Sequence, residues 1–147
     1  MSVLVDTNIL LRSAQPSHEH CPQAAGAVSK LLRQNEVVCF CSQNIAEFWN
    51  VATRPAEFNG LGYSQAEVLY EVASIEGLLT LLPDGPGIYP EWKRIVKNHN
   101  VRGVKVYDAR LAAVAIVHRI GSILTFNVAD FKRFSNINAL HPLSLLA

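Results

Sequence analysis

Short apolar runs alternate with amphipathic segments along the whole chain, and this alternation limits the possible folds more than any other feature. VLV at 3–5, VVCFC at 37–41, LLTLL at 78–82 and SILTF at 122–126 have the length and composition of buried strands. The segments between them carry apolar residues at helical spacing. Strands alternating with helices predict an α/β fold, in which a parallel sheet is covered by helices on both faces.

Local signals mark where the helices are expected to begin and end. We expect helices over residues 20–34, 43–54, 64–79, 89–99 and 108–119, a short capped helix in NVADFKRF at 127–134, and a last strand in NALHPL at 138–143. Ser42 is predicted to cap the second helix, which stops before Pro55. Ser64 and Glu67 have the spacing of a capping box. The helix beginning at Asp108 is apolar almost all round and should be buried.

Length and composition favour one globular domain over residues 1–147. Half of the 147 residues are apolar and 17% are charged, which is typical of a chain with a substantial core. The longest apolar run, at 111–117, is too short to cross a membrane, and Asp6 interrupts the stretch that a signal peptide would need. We therefore expect a cytoplasmic protein without membrane contact. Cys39 and Cys41 are predicted to be apolar fillers on one face of a strand.

Charge is distributed unevenly along the chain although the net charge is only +1. Residues 1–76 carry four basic and eight acidic side chains, whereas residues 77–147 carry nine basic and four acidic ones. The basic residues of the second half include a run without an acid among them: Lys93, Arg94, Lys97, Arg102 and Lys105. Such a run attracts a polyanion or forms a solvated helix face, and composition alone does not decide between the two.

Carboxylates follow the predicted strands at the points where each strand ends. Asp6 follows the first strand, Glu47 lies in the first turns after the second, and Asp108 opens the buried helix. Asn127 and Asp130 follow SILTF directly. Because the carboxyl ends of parallel strands share one edge of the sheet, these groups should lie together. Clustered carboxylates repel one another unless a cation separates them, and hard oxygen ligands suit Mg²⁺ or Mn²⁺.

Each of these residues also has a simpler structural explanation. Asp6 and Asp108 are both placed where an aspartate commonly caps a helix. Asp130 stands three residues after Asn127, which is the spacing of a capping box. Glu47 lies seven residues before Arg54 on one helix face, so the two could be ordinary surface neighbours. The set of residues is more specific than any of its members.

Three segments, in this order and spacing, resemble the PIN-domain ribonucleases. They are LVDTNILL at 4–11, SQNIAEFWNVATRP at 42–55 and YDARLAAVAIVHRIGSILTFNVADF at 107–131. Within that family the chain looks closest to the toxin component of VapBC-type toxin–antitoxin pairs. The resemblance implies a Rossmann-like parallel sheet whose acidic side chains hold one or two Mg²⁺ or Mn²⁺ ions, and metal-dependent cleavage of RNA phosphodiesters.

The resemblance also assigns roles to individual positions. Asp6, Glu47 and Asp108 match the first three acids of the family, and Asn127 stands where many relatives carry a fourth. Asp130 is the alternative for that fourth position. Similar proteins use further polar positions to orient the carboxylates or a metal-bound water, and here those positions are Thr7, Asn8 and Thr125.

Two functions remain open from the sequence. The first is a metal-dependent ribonuclease, the toxin of a toxin–antitoxin pair; the second is a PIN-like module that binds RNA or protein without cleaving. A haloacid dehalogenase-type phosphatase is disfavoured because it needs a second Asp at the position of Asn8. Proximity to the acids nominates four phosphate contacts: Arg54, Arg110, Lys132 and Arg133. Expected partners are an RNA substrate, an antitoxin, and a second copy bound through the helix at 64–79.

Overall fold

A computed structural model describes residues 1–147 and contains a single five-stranded sheet. Every neighbouring pair of strands is parallel, and the strand order is β3-β2-β1-β4-β5. The strands are β1 (Ser2–Val5), β2 (Val37–Cys41), β3 (Thr80–Leu82), β4 (Ser122–Leu124) and β5 (Asn138–Leu140). The predicted α/β class with a parallel sheet is confirmed.

Seven α-helices surround the sheet. They are α1 (Thr7–Ser13), α2 (Cys21–Arg33), α3 (Ser42–Thr53), α4 (Gln65–Leu78), α5 (Ile88–Asn98), α6 (Lys105–Val117) and α7 (Pro142–Leu146). Two short 3-10 helices cover Ala56–Phe58 and Val128–Phe131. None of these helices has the length and apolarity that a membrane crossing requires.

The core consists of two layers, one on each face of the sheet. Along β2, Cys39 and Cys41 pack with α5 and α6, whereas Val38 and Phe40 pack with α1, α2 and α3. This is the alternation expected of successive strand residues, whose side chains point to opposite faces. Both cysteines are buried on the same face, as predicted. Because helices cover both faces, functional groups are left to the edges of the sheet.

The order in which strands are added to the sheet reverses at β1. The chain adds β2 and β3 on one side of β1 and later β4 and β5 on the other. Such a reversal opens a crevice at the carboxyl ends of the central strands. The Asp6 amide donates to the carbonyl of Leu124 at 2.8 Å, so Asp6 is fixed where β1 and β4 end. The predicted acidic edge, by which we mean the carboxyl ends of the central strands with Asp6, Glu47 and Asp108, is therefore next to the crevice.

Two helix starts differ from their predictions. Cys41, not Ser42, is the N-cap of α3; its amide donates to Asn44 Oδ1 at 2.9 Å, while the Ser42 hydroxyl donates to Asp84 at 2.6 Å. Helix α6 begins at Lys105, so Asp108 lies in its first turn and the capping explanation for Asp108 is wrong. The capping box at the start of α4 is confirmed.

The C-terminal predictions need two corrections. The segment after β4 forms only a 3-10 helix, and the Asn127 side chain does not cap it. The capping box with Asp130 is wrong because the Asp130 carboxylate bonds instead to Lys105 Nζ at 2.7 Å. The last predicted strand is shorter than expected, and α7 follows it; its N-cap, His141, accepts from the Leu143 amide at 3.1 Å.

Candidate active site

Asp6 is the most enclosed carboxylate of the acidic edge, with only 8% of its surface exposed. As the N-cap of α1, it accepts from the Thr7 amide through Oδ1 at 2.7 Å. Its second oxygen, Oδ2, accepts from the Thr125 hydroxyl at 2.8 Å. The capping explanation for Asp6 is thus confirmed. Capping does not balance the negative charge of Asp6, since the Thr7 amide and the Thr125 hydroxyl are both neutral.

Glu47 is tied to the same edge by a network of neutral groups. The Thr7 hydroxyl donates to Glu47 Oε1 at 2.7 Å. The Asn44 amide donates to Thr7 Oγ1 at 3.2 Å and to the carbonyl of Val5 at 3.1 Å, and Asn44 is fully buried. Glu47 therefore faces the end of β1 and is not a surface neighbour of Arg54.

Gln43 links helix α3 to helix α6 beside Glu47. Its amide nitrogen donates to the carbonyl of Tyr107 at 2.9 Å and lies 3.5 Å from Glu47 Oε2. Its amide oxygen accepts from Arg110 Nη1 at 3.0 Å. Gln43 and Asn44 are site residues that the sequence prediction missed. The available signal was their position directly after a buried strand at the edge that carries the acids.

Burial and neighbouring charges both act on Asp6. The pKa of Asp6 is raised from 3.8 to about 6, and loss of hydration is the largest cause. The negative charges of Asp108 and Glu47 contribute to this rise, while the bonds from Thr125 and Thr7 oppose it. The three predicted acids therefore share one electrostatic environment.

The charged groups that shift the pKa of Asp108 lie mainly on the side of the acidic edge opposite Asp6. The pKa of Asp108 is raised to about 6, chiefly by burial and in addition by the charges of Asp130 and Glu47. Lys105 and Arg133 oppose this rise. The acidic side chains of α3, α6 and the segment after β4 thus repel one another across the crevice.

Negative charge at this edge is only partly balanced by the protein. Asp130 forms an ion pair with Lys105, whereas Asp6, Glu47 and Asp108 form none. No three His, Cys, Asp or Glu side chains stand close enough together to hold a metal ion as they are. A shared ion therefore requires these carboxylates to approach one another against their mutual repulsion. Their hard oxygens and unbalanced charge fit a divalent cation such as Mg²⁺ or Mn²⁺.

The remaining predicted polar residues lie around the loop that follows β4. Asn127 is exposed; its amide donates to Thr125 Oγ1 at 2.9 Å, and its side chain makes no hydrogen bond. Asn8 Oδ1 accepts from the Phe126 amide at 3.4 Å, so it joins α1 to this loop and does not touch a carboxylate. Asp130 lies near enough to Asp108 to influence it.

The four predicted phosphate contacts fall into two groups. Arg110 borders the site through Gln43, and Arg133 is close enough to lower the pKa of Asp108. Lys132 is exposed beside Arg133. Arg54 lies two turns beyond Glu47, at the far end of α3, where it donates to the carbonyl of Asn59 at 3.1 Å. The geometry thus separates Arg54 from the acidic edge.

The sheet order and the acidic edge define an α/β protein with a set of carboxylates beside its central strand. The model of the PIN domain family matches residues 3–137. The chain therefore belongs to the PIN domain family, and the predicted resemblance is confirmed. No curated protein matches this chain.

Several solved structures share the fold. VapBC2 from Rickettsia felis, bound to a promoter DNA fragment, matches with a TM-score of 0.71 at 16% identity, over 96% of this chain and 98% of that one. VapBC-1 from Haemophilus influenzae matches with a TM-score of 0.69 at 15% identity, over 97% of this chain and 99% of that one. VapC20 from Mycobacterium tuberculosis, a sarcin–ricin loop cleaving toxin, matches with a TM-score of 0.62 at 15% identity, over 82% of this chain and 86% of that one.

Proposed function

We propose that this chain is a divalent-metal-dependent ribonuclease whose site is formed by Asp6, Glu47 and Asp108. One observation carries the proposal: carboxylates from three separate segments influence one another at a partly buried edge without a protein cation to pair with. Burial of an unpaired charge is unfavourable, and a bound divalent ion would remove the penalty. Membership of the PIN domain family supports the same assignment.

Each residue has a definite task in this proposal. Asp6, Glu47 and Asp108 hold the ion, and the hydroxyls of Thr7 and Thr125 fix the orientation of the carboxylates they contact. When bound, Mg²⁺ or Mn²⁺ lowers the pKa of a coordinated water and polarises the scissile phosphate. No histidine base is then required.

We assign the fourth ligand position to Asn127, with Asp130 as the alternative. The Asn127 side chain has no hydrogen-bond partner, so its amide oxygen is free to accept or to ligate. Asp130 would first have to leave Lys105.

RNA is held by positive charges bordering the acids. Arg110, Lys132 and Arg133 are the contacts we propose, since Arg110 and Arg133 both act on groups of the site and Lys132 is adjacent to Arg133. Contacts of this kind position the backbone without reading sequence.

We further propose that the protein is a cytoplasmic toxin that pairs with an antitoxin and forms a homodimer. The structures of VapBC assemblies with the same fold support the pairing. Helix α4 supports a protein contact because Leu69, Tyr70 and Leu78 are more than half exposed on it. This is the helix predicted for the dimer interface.

The decisive experiment is RNA cleavage with Mn²⁺, with and without EDTA. We expect EDTA to abolish cleavage and Asp6→Asn to lower the rate at least about 100-fold, because the metal contributes several kcal/mol to the transition state. Glu57→Gln changes an exposed acid in the 3-10 helix Ala56–Phe58, beyond the end of α3 that lies away from the acids. It is the matched control and should cleave like the wild type. Equal cleavage by wild type and Asp6→Asn contradicts the enzyme and favours a non-catalytic RNA-binding module.

A further inference from the structure

A small cavity at the start of α5 shares only Arg110 with the site described so far. Its volume is about 280 Å³, and it is lined by Gly85, Ile88, Tyr89, Trp92 and Arg110. Ile88 is buried, whereas Tyr89 is 65% exposed. The cavity therefore combines an apolar base, two aromatic rings and one guanidinium group.

The two aromatic rings are held in a defined arrangement. Trp92 Nε1 donates to the carbonyl of Val106 at 2.8 Å, which fixes the indole against α6. The Tyr89 ring lies 6.2 Å from the Trp92 ring, at an interplanar angle of 32°. A fixed indole beside an exposed phenol offers aromatic faces to a flat ligand.

Arg110 connects the cavity to the acidic edge. Its Nη1 donates to Gln43, whose amide reaches Glu47. Its pair with Asp84 is long, at 3.5 Å, and Asp84 is half exposed. Exposed pairs of this kind contribute little, so the guanidinium can turn to a phosphate oxygen. A ligand in the cavity would thus be linked to Glu47 through two side chains, Arg110 and Gln43.

Positive charge continues from the cavity along α5. Lys93 and Lys97 follow Tyr89 at intervals of four residues and are exposed, so the three side chains share one helix face. Arg94, next to them, is paired with Glu91 at 2.5 Å. The basic run identified in the sequence therefore starts at the aromatic cavity and is complementary to a polyanion.

We propose that this cavity binds one unpaired nucleobase of the RNA, next to the phosphate that is cleaved. The base stacks on Tyr89 and Trp92, and Arg110 contacts the adjoining phosphate. This inference deepens the proposed ribonuclease function and depends on it for the position of the cut. The cavity is smaller than a typical pocket for a drug-sized ligand, which fits a single ring system. Bases within a duplex are stacked on one another, so the ligand must come from a single strand or a loop.

Binding in EDTA tests the proposal without cleavage. Fluorescence anisotropy is measured with a labelled single-stranded RNA, its duplex, and a series in which each nucleotide in turn is abasic. Wild type should bind the single strand about tenfold tighter than the duplex, and one abasic position should weaken binding about tenfold. Tyr89→Ala should weaken binding of the intact strand about tenfold and show no further loss with that abasic strand. Tyr89→Phe should retain the affinity because it retains the stacking face.

Controls separate this proposal from the ribonuclease proposal. Phe58→Ala removes an equally exposed aromatic ring from another part of the surface and should bind RNA like the wild type. Unchanged affinity of Tyr89→Ala overturns the cavity assignment even if Mn²⁺-dependent cleavage is found. If Tyr89→Ala loses RNA affinity about tenfold and the wild type shows no cleavage, base binding in the cavity is supported and the ribonuclease proposal is contradicted. A changed molecular mass of Tyr89→Ala by light scattering, with RNA affinity intact, assigns the cavity to a protein contact and overturns the proposal.

Discussion

The two sides of the acidic edge hold their carboxylates in different ways. On the β1 side, Asp6 and Glu47 are held by hydroxyl and amide groups, none of which carries a charge. On the α6 side, Asp130 is held by the Lys105 ammonium group, and Arg133 adds positive charge nearby. Neutral donors orient a carboxylate without cancelling its charge, whereas a cation does both. The carboxylates of the β1 side therefore keep a negative charge that the protein does not balance, which supports the cation site proposed there.

Among substitutions of the groups that hold the carboxylates, removing a neutral donor on the β1 side should cause the largest loss of Mn²⁺ affinity and cleavage. Thr125→Val keeps the shape of the side chain but deletes the hydroxyl that donates to Asp6 and accepts from the Asn127 amide. We expect Mn²⁺ affinity and the cleavage rate to fall by about 10- to 100-fold, as is usual when a residue that orients a metal ligand is lost. Isothermal titration and the cleavage assay measure the two losses.

A matched threonine elsewhere provides the control for this variant. The Thr53 hydroxyl donates to the carbonyl of Trp49 at 2.7 Å, at the end of α3 away from the acids. Thr53→Val should leave metal affinity and cleavage unchanged. If the two valine variants behave alike, the neutral donors of the β1 side have no special role.

An intermediate effect concerns stability without metal. The pKa of Asp6 is about 6 in the folded chain and 3.8 when unperturbed, so the unfolded chain loses its proton first as the pH rises. The metal-free fold should lose stability between pH 4 and 6, and above that range the loss is complete. Asp6→Asn removes the penalty and should raise the free energy of unfolding at pH 7.5 by about 3 kcal/mol. Urea denaturation in EDTA measures this change.

Added Mn²⁺ should reverse the order of the two proteins. Wild type gains stability from the ion, whereas Asp6→Asn gains much less because one ligand has lost its charge. An Asp6→Asn protein that is less stable than wild type at pH 7.5 in EDTA would show that the buried charge is already compensated within the fold.

The smallest effect should come from the α6 side. Lys105→Gln breaks the pair with Asp130, but both side chains are partly exposed, so the free energy of unfolding should change little. Mn²⁺ affinity should rise about threefold because a positive charge near Asp108 is removed. Arg94→Gln, which breaks the exposed pair with Glu91, should match it in stability and leave Mn²⁺ affinity unchanged. A fall in Mn²⁺ affinity for Lys105→Gln would refute the comparison.

The fold was predictable because its signals are local. Strands β1, β2 and β4 coincide with continuous apolar runs, which occur where both faces of a strand are covered. The start of α6 was not predictable in this way. Its N-cap is Val104, which has no capping side chain, so Asp108 offered the stronger but misleading signal.

The site was harder to predict because its contacts are distant along the chain. Asn44 lies three residues before Glu47 in α3, and it is fully buried because its amide donates to the carbonyl of Val5 at the end of β1. The spacing of Asn127 and Asp130 matched a capping box, yet Lys105 takes the Asp130 carboxylate instead. Local patterns give no information about such competing partners.

The distance between the contributing segments also sets when the site can form during synthesis. The hydrogen bond from Thr125 to Asp6 joins residues 119 positions apart, and the bond from Thr7 to Glu47 spans another 40. A growing or truncated chain that ends before β4 lacks the completed crevice, however well its first half folds. If the proposed ribonuclease function holds, cleavage of RNA would begin only when translation of this chain is nearly finished.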